Sequence, residues 1–127
     1  MRLLLDTHVA LWAVAGDRRF TADARRRVLG ADRVFVSAAS LWEIAIKHAL
    51  GRGDMPVSVD VAAAELQAAG FEELPVAWRH VQRVAALPGH HKDPFDRLLV
   101  AQALEEPLIL VTHDDAVAAY SPSIIRI

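Results

Sequence analysis

Apolar residues along the chain follow two rhythms. Four short runs, "RLLL" (2–5), "RVFVS" (33–37), "LILVT" (108–112) and "SIIRI" (123–127), carry little or no polar alternation, the pattern of strands buried on both faces in a parallel sheet. The last of them, broken by Arg126, reads as a less buried final strand. Between the runs the interval lengthens to that of a helix. In "AASLWEIAIKHAL" the residues Ala38, Leu41, Trp42, Ala45, Ile46 and Ala49 recur on one helical face. "TADARRRVLG" has Thr21 as N-cap and Gly30 as stop, and "SVDVAAAELQAAG" repeats that grammar with Ser58 and Gly70. "AWRHVQRVAAL" supplies a further helix, closed by Pro88 and Gly89. Strands alternating with helices predict an α/β fold, a three-layer α/β/α sandwich around a mainly parallel central sheet. No repeat, low-complexity tract or linker interrupts it, so residues 1–127 are expected to form a single domain.

Composition narrows the setting. A chain of 127 residues buries a sizeable core without staples, and with no cysteine it has neither disulfides nor thiolate metal sites. A reducing cytoplasm is the expected location. The opening "MRLLLDTH" breaks at Asp6 before a signal-peptide core forms, and no apolar run is long enough for a bilayer, so no membrane association is expected. A net charge of −2 and a pI near 6.3 argue against a domain that grips nucleic acid by bulk electrostatics. Arg18, Arg19, Arg25 to Arg27, Lys47 and Arg52 leave room for a local basic patch, although the Arg25 to Arg27 run reads as a solvated helix face.

In open parallel sheets ligands bind beyond the carboxyl ends of the strands, where the strand order reverses. Acids are therefore read by position. Asp6 directly follows "RLLL", and Asp114 follows "LILVT" by one residue. Glu43 lies two turns into the helix after "RVFVS", and Asp96 opens the helix that leads into "LILVT". All four are expected at one edge, yet each also has a plainer reading. Asp6 stands where it would cap the helix beginning "THVALW". Asp93, followed by Pro94 and with Asp96 three residues on, resembles a capping box, so Asp93 is expected to be a cap, and Asp96 either completes that box or points at the strand ends. Glu43 borders its helix's apolar stripe, where an exposed glutamate is ordinary. Of the last pair, Asp115 is expected to cap "DAVAAY" and Asp114 to face the site. The six histidines show no metal-ligand spacing, and His90 with His91 is expected to line a loop. Ser37 and Ser40 read as helix-start residues and are expected to reach the acids as supporting donors.

An oxygen-only set of carboxylates selects Mg²⁺ or Mn²⁺ over zinc. Crowded carboxylates repel, so without a cation at least one should hold a proton at raised pKa. One or two divalent ions there would activate water and stabilise the leaving oxygen of a phosphodiester displacement.

The segments "LLLDTHVALWAV", "VSAASLWEIAIK", "DPFDRLLVAQA" and "LVTHDDAV" occur in the order and spacing of the PIN-domain ribonucleases, and the chain most resembles the VapC-type toxins of bacterial toxin–antitoxin pairs. The resemblance runs from residue 3 to the terminal "IIRI". It implies a PIN-like fold and a Mg²⁺- or Mn²⁺-dependent endoribonuclease acting on RNA. It also implies a cognate antitoxin over the acid edge and a homodimer. By it Asp6, Glu43, Asp96 and Asp114 take the family's acidic positions, with Asp93 second to Asp96, and Thr112 falls on the strand-end hydroxyl. Trp12 and Trp42 would border the antitoxin surface, although helical spacing puts both in the core. Two other readings remain. A haloacid-dehalogenase-like phosphatase wants a second aspartate two residues after the first, where this chain has His8. A non-catalytic α/β binding module would use every acid as a cap.

Overall fold

The computed structural model describes residues 1–127. In chain order the elements are β1 (Arg2–Leu5), α1 (Thr7–Ala15), α2 (Ala22–Leu29), β2 (Arg33–Ser37), α3 (Ala38–Ala49), α4 (Val59–Ala68), β3 (Glu72–Leu74), α5 (Trp78–Ala85), α6 (Pro94–Glu105), β4 (Ile109–Thr112), α7 (Asp115–Ala118) and β5 (Ile125–Arg126). All strand pairings are parallel, in the order β3-β2-β1-β4-β5. The uninterrupted "RLLL" run is explained by its place: β1 lies at the centre, and successive side chains go to opposite faces. Leu3 and Leu5 pack with Val9, Trp12, Phe20 and Val36 on one side. Leu4 packs with Phe35, Leu99, Val100 and Leu110 on the other. Both faces of the sheet are thus covered by helices, as a parallel sheet requires.

The chain builds β1, β2 and β3 outwards to one edge, returns through α5 and α6, and builds β4 and β5 towards the other. The strand order therefore reverses between β1 and β4, whose carboxyl ends lie side by side with Leu5 beside Val111. Such a reversal leaves a crevice at the strand ends.

Several details depart from expectation. The sequence pattern missed β3, which pairs with β2 but buries only Leu74. Its first residue, Glu72, receives a two-pronged contact of 2.9 and 2.6 Å from Arg33, a pair that polar composition hides. The last strand is shorter than "SIIRI" suggests, covering only Ile125–Arg126. Gly70 does close α4, in the left-handed region at φ +85° that favours glycine, whereas Gly30 ends α2 in an ordinary right-handed conformation. Trp12 is buried, but Trp42 is not a core residue: it is 62% exposed, and its indole meets Phe95 edge to face at 5.2 Å. The Arg25 to Arg27 run is exposed, with Arg26 and Arg27 both paired to Asp23. No helix is long and apolar enough to cross a membrane.

Candidate active site

Asp6 stands where β1 ends and α1 begins, and it answers to both elements. Its backbone N–H donates to Val111 O at 3.0 Å, continuing the ladder with β4. Its Oδ1 accepts from Val9 N at 2.9 Å, which caps α1. The other oxygen, Oδ2, accepts from Thr112 Oγ1 at 2.5 Å. Thr112, fully buried at the end of β4, in turn accepts from Asp114 N at 3.1 Å, so one hydroxyl aligns the acids of two neighbouring strand ends. Asp6 is a cap and a cleft acid together, and burial is the largest cause pushing its carboxyl above the usual range, partly offset by the bond from Thr112.

Glu43 is only 3% exposed, against the ordinary outcome for its stripe border. Lys47, one turn on, bonds to Oε2, while Oε1 is buried with no donor. A buried carboxylate oxygen without a partner is costly and asks for a cation or a water. The start of α3 reaches across to α1 through Thr7 Oγ1, which donates to Ser40 Oγ at 2.9 Å. Ser37 spends its hydroxyl on Ala39 N as the cap of α3, at 3.0 Å, and contacts none of the four acids.

At the start of α6, Asp93 is the cap, as expected. Asp93 Oδ1 accepts from Phe95 N at 2.9 Å and Asp96 N at 3.0 Å, and Pro94 takes the first helical position. Asp96 does not close a reciprocal box, because the N–H of Asp93 goes to His91 Nδ1. The carboxyl of Asp96 faces the cleft instead. Its pKa is pushed up to about 7, first by burial and then by the charges of Asp93, Asp6 and Glu43. That repulsion places three of the sequence-identified acids in one electrostatic neighbourhood.

Asp114 and Asp115 exchange the expected caps. The cap of α7 is Asp114, whose Oδ1 accepts from Ala116 N at 2.8 Å and Val117 N at 3.3 Å. Asp115 is already inside the helix and pairs with Arg126. One residue of spacing after the strand decides this, since the turn from β4 brings Asp114 to the first open N–H groups. Its second oxygen remains free to face the cleft, 3.3 Å from His91 Nε2.

His91 is the residue that sequence spacing missed. The ring stands between α6 and α7, with Nε2 at 2.9 Å from Asp96 Oδ2, so His91, Asp96 and Asp114 converge at a spacing that suits an ion. Its position just ahead of the cap in "HHKD" is the one available clue. His8 points elsewhere, to Asp54 at 3.3 Å, and leaves the place that a phosphatase of the haloacid-dehalogenase type would fill with aspartate without a carboxylate.

Comparison with known proteins identifies the family and the fold. The family model of the PIN domain matches residues 3–121. A ribonuclease named VapC22 from Mycobacterium tuberculosis is 33% identical over 116 residues, covering 88% of this chain and 86% of that protein. The fold is shared with the DNA-bound VapBC2 complex of Rickettsia felis, at TM-score 0.69 and 14% identity over all of this chain and 98% of the other. It is shared too with a toxin–antitoxin complex from Klebsiella pneumoniae, at TM-score 0.66 and 17% identity over 97% and 95% of the two chains. With the parallel sheet reversing at β1 and β4, the acids gathered at that reversal and a family match over nearly the whole length, this chain belongs to the PIN domain family.

Proposed function

We propose that this chain is an endoribonuclease that works with Mg²⁺ or Mn²⁺ and serves as the toxin of a toxin–antitoxin pair. The observation that carries the reading is the surplus of carboxylate at the β1–β4 reversal. Asp96 and Asp114 converge with His91, Thr112 ties Asp6 to the same strand ends, Glu43 Oε1 has no donor, and Asp96 is driven towards neutrality by burial and then by the charges of Asp93, Asp6 and Glu43. Such a set fits a hard divalent cation, and its lack of thiolates disfavours a soft one. The naming of a 33% identical relative as a ribonuclease supports RNA as the substrate.

Asp6, Glu43, Asp96 and Asp114 would hold the ion, with Asp93 confined to capping α6. When bound, Mg²⁺ or Mn²⁺ supplies a polarised water and positive charge at the scissile phosphodiester. The protein's own part is positioning. Thr112 Oγ1 fixes Asp6 Oδ2, and the bond from Val9 fixes Oδ1, so this carboxylate has one orientation. Lys47 bonds to Glu43 Oε2 and leaves Oε1 free of any donor. Ser40 and Thr7 brace the helix that carries Glu43 against the one that Asp6 caps. The overall charge of −2 is no obstacle, since phosphate would be met by the ion rather than by a basic face.

The test is cleavage of a structured RNA by the purified chain with Mn²⁺ and then with EDTA. Cleavage should require the metal, and Asp6→Asn should stay folded and inactive, because it removes charge at nearly constant volume. Undiminished cleavage in EDTA would sink the proposal. An antitoxin over the crevice and a homodimer belong to the same reading; a single monomeric mass by light scattering across concentrations would count against the dimer.

A further inference from the structure

Resting on that metal-dependent reading, we infer that His91 is a built-in stand-in for the cation, a positioning residue whose Nε2–H bridges Asp96 and Asp114 until a metal ion displaces it. The tautomer follows from the hydrogen bonds. Nδ1 accepts from Lys92 N at 2.9 Å and from Asp93 N at 3.2 Å, so its lone pair is turned to the backbone and the ring proton belongs on Nε2. An Nε2 that carries a proton cannot coordinate a metal. It is a donor, and it lies 2.9 Å from Asp96 Oδ2 and 3.3 Å from Asp114 Oδ2, aligned for a full hydrogen bond with neither. A donor poised between two acceptors is placed to hold them together.

The ring is not free to drift. The backbone N–H of His91 donates to Tyr120 Oη at 3.0 Å, just beyond α7. Arg97 on α6 donates to Pro88 O at 3.0 Å, Val84 O at 3.1 Å and Tyr120 Oη at 3.0 Å, which pins the loop from both sides. The imidazole is thus mounted on the two helices whose acids it joins. A divalent ion held by Asp96 and Asp114 through these oxygens would meet the positive end of the N–H dipole. His91 therefore lowers metal affinity while it keeps the α6 and α7 acids in register.

The test is calorimetric titration of the full chain with Mn²⁺, for wild type, His91→Asn and His91→Gln. Asparagine keeps an oxygen where Nδ1 accepts the two backbone N–H groups, but withdraws the donor from the carboxylates. Glutamine reaches the carboxylates with an amide N–H. The asparagine variant should bind Mn²⁺ about threefold tighter, the value of one imperfectly aligned hydrogen bond. Glutamine should stay close to wild type. Circular dichroism confirms folding, and if His91→Asn fails to fold, His91→Phe keeps the ring volume without an N–H and must tighten binding likewise. Weakened or unchanged binding in the variants without the donor overturns the inference and, where weakened, makes His91 a ligand. Absence of binding in wild type with binding in His91→Asn supports it, whereas absence in both overturns the metal reading and this one together.

Discussion

Asp93 and Asp96 are the same residue type three positions apart, and their surroundings give them opposite energetics. Asp93 spends its carboxylate on two helix N–H groups, which stabilises the fold; Asp96 is ionised only against burial and its neighbours' charge, which costs stability. The sign of the pH dependence follows. An acid whose folded pKa is raised binds its proton more tightly in the native state than in the unfolded chain, so metal-free stability falls as pH rises from about 4 to about 7 and levels off above. Asp96→Asn should remove that decline. Its melting temperature should exceed that of wild type at about pH 8, with the gap closing towards about pH 4, and it should lose the stabilisation that Mn²⁺ gives wild type. Asp93→Ala should instead lose about 0.5–2 kcal/mol while keeping a response to Mn²⁺. Thermal melts across pH, with and without Mn²⁺, decide between these; a reversed pattern would exchange the two roles. The capping of Asp93 was legible from "DPFD" because caps are local. His91 was not, because its meeting with Asp114 depends on how the loop before α6 folds back over α7.

At the scale of elements the crevice depends on two adjacent strand ends arriving in register. Thr112 Oγ1, on a fully buried residue, is the fastener, donating to Asp6 Oδ2 and accepting from Asp114 N. Thr112→Val keeps the shape and removes both bonds, leaving a carboxylate oxygen and an N–H without partners. That should cost about 1–3 kcal/mol and weaken Mn²⁺ binding, while Thr112→Ser restores both. Equal stability of the valine variant in denaturant titrations would mean that water replaces the hydroxyl and that the strand ends need no fastener. The sequence made β1, β2 and β4 readable since strands buried on both faces have no polar alternation. It concealed β3, whose "EEL" buries a single side chain and exists by pairing with β2. Nor could spacing tell Asp114 from Asp115 as the cap of α7, a choice made by the exact turn out of β4.

For the whole molecule, what lies beside the crevice matters as much as what lies inside it. Trp42 immediately precedes Glu43 on α3, and Phe95 immediately precedes Asp96 on α6, so the edge-to-face pair they form borders two of the acids while Trp42 stays largely open to solvent. Ile46, one turn beyond Trp42, extends the apolar rim. A large exposed indole is costly to keep wet and is a common anchor of protein interfaces. In the proposed toxin, a partner seated on this rim would cover the acids as a consequence of geometry, without competing for the ion. Trp42→Ala removes the anchor but no carboxylate and no bond to one. It should therefore retain most metal-dependent RNA cleavage in vitro, yet escape suppression when the antitoxin is co-expressed, so that growth arrest returns. Asp6→Asn should show the converse: no arrest, with the partner still co-purifying. Suppression of Trp42→Ala as complete as that of wild type would place the partner's anchor away from the α3–α6 rim.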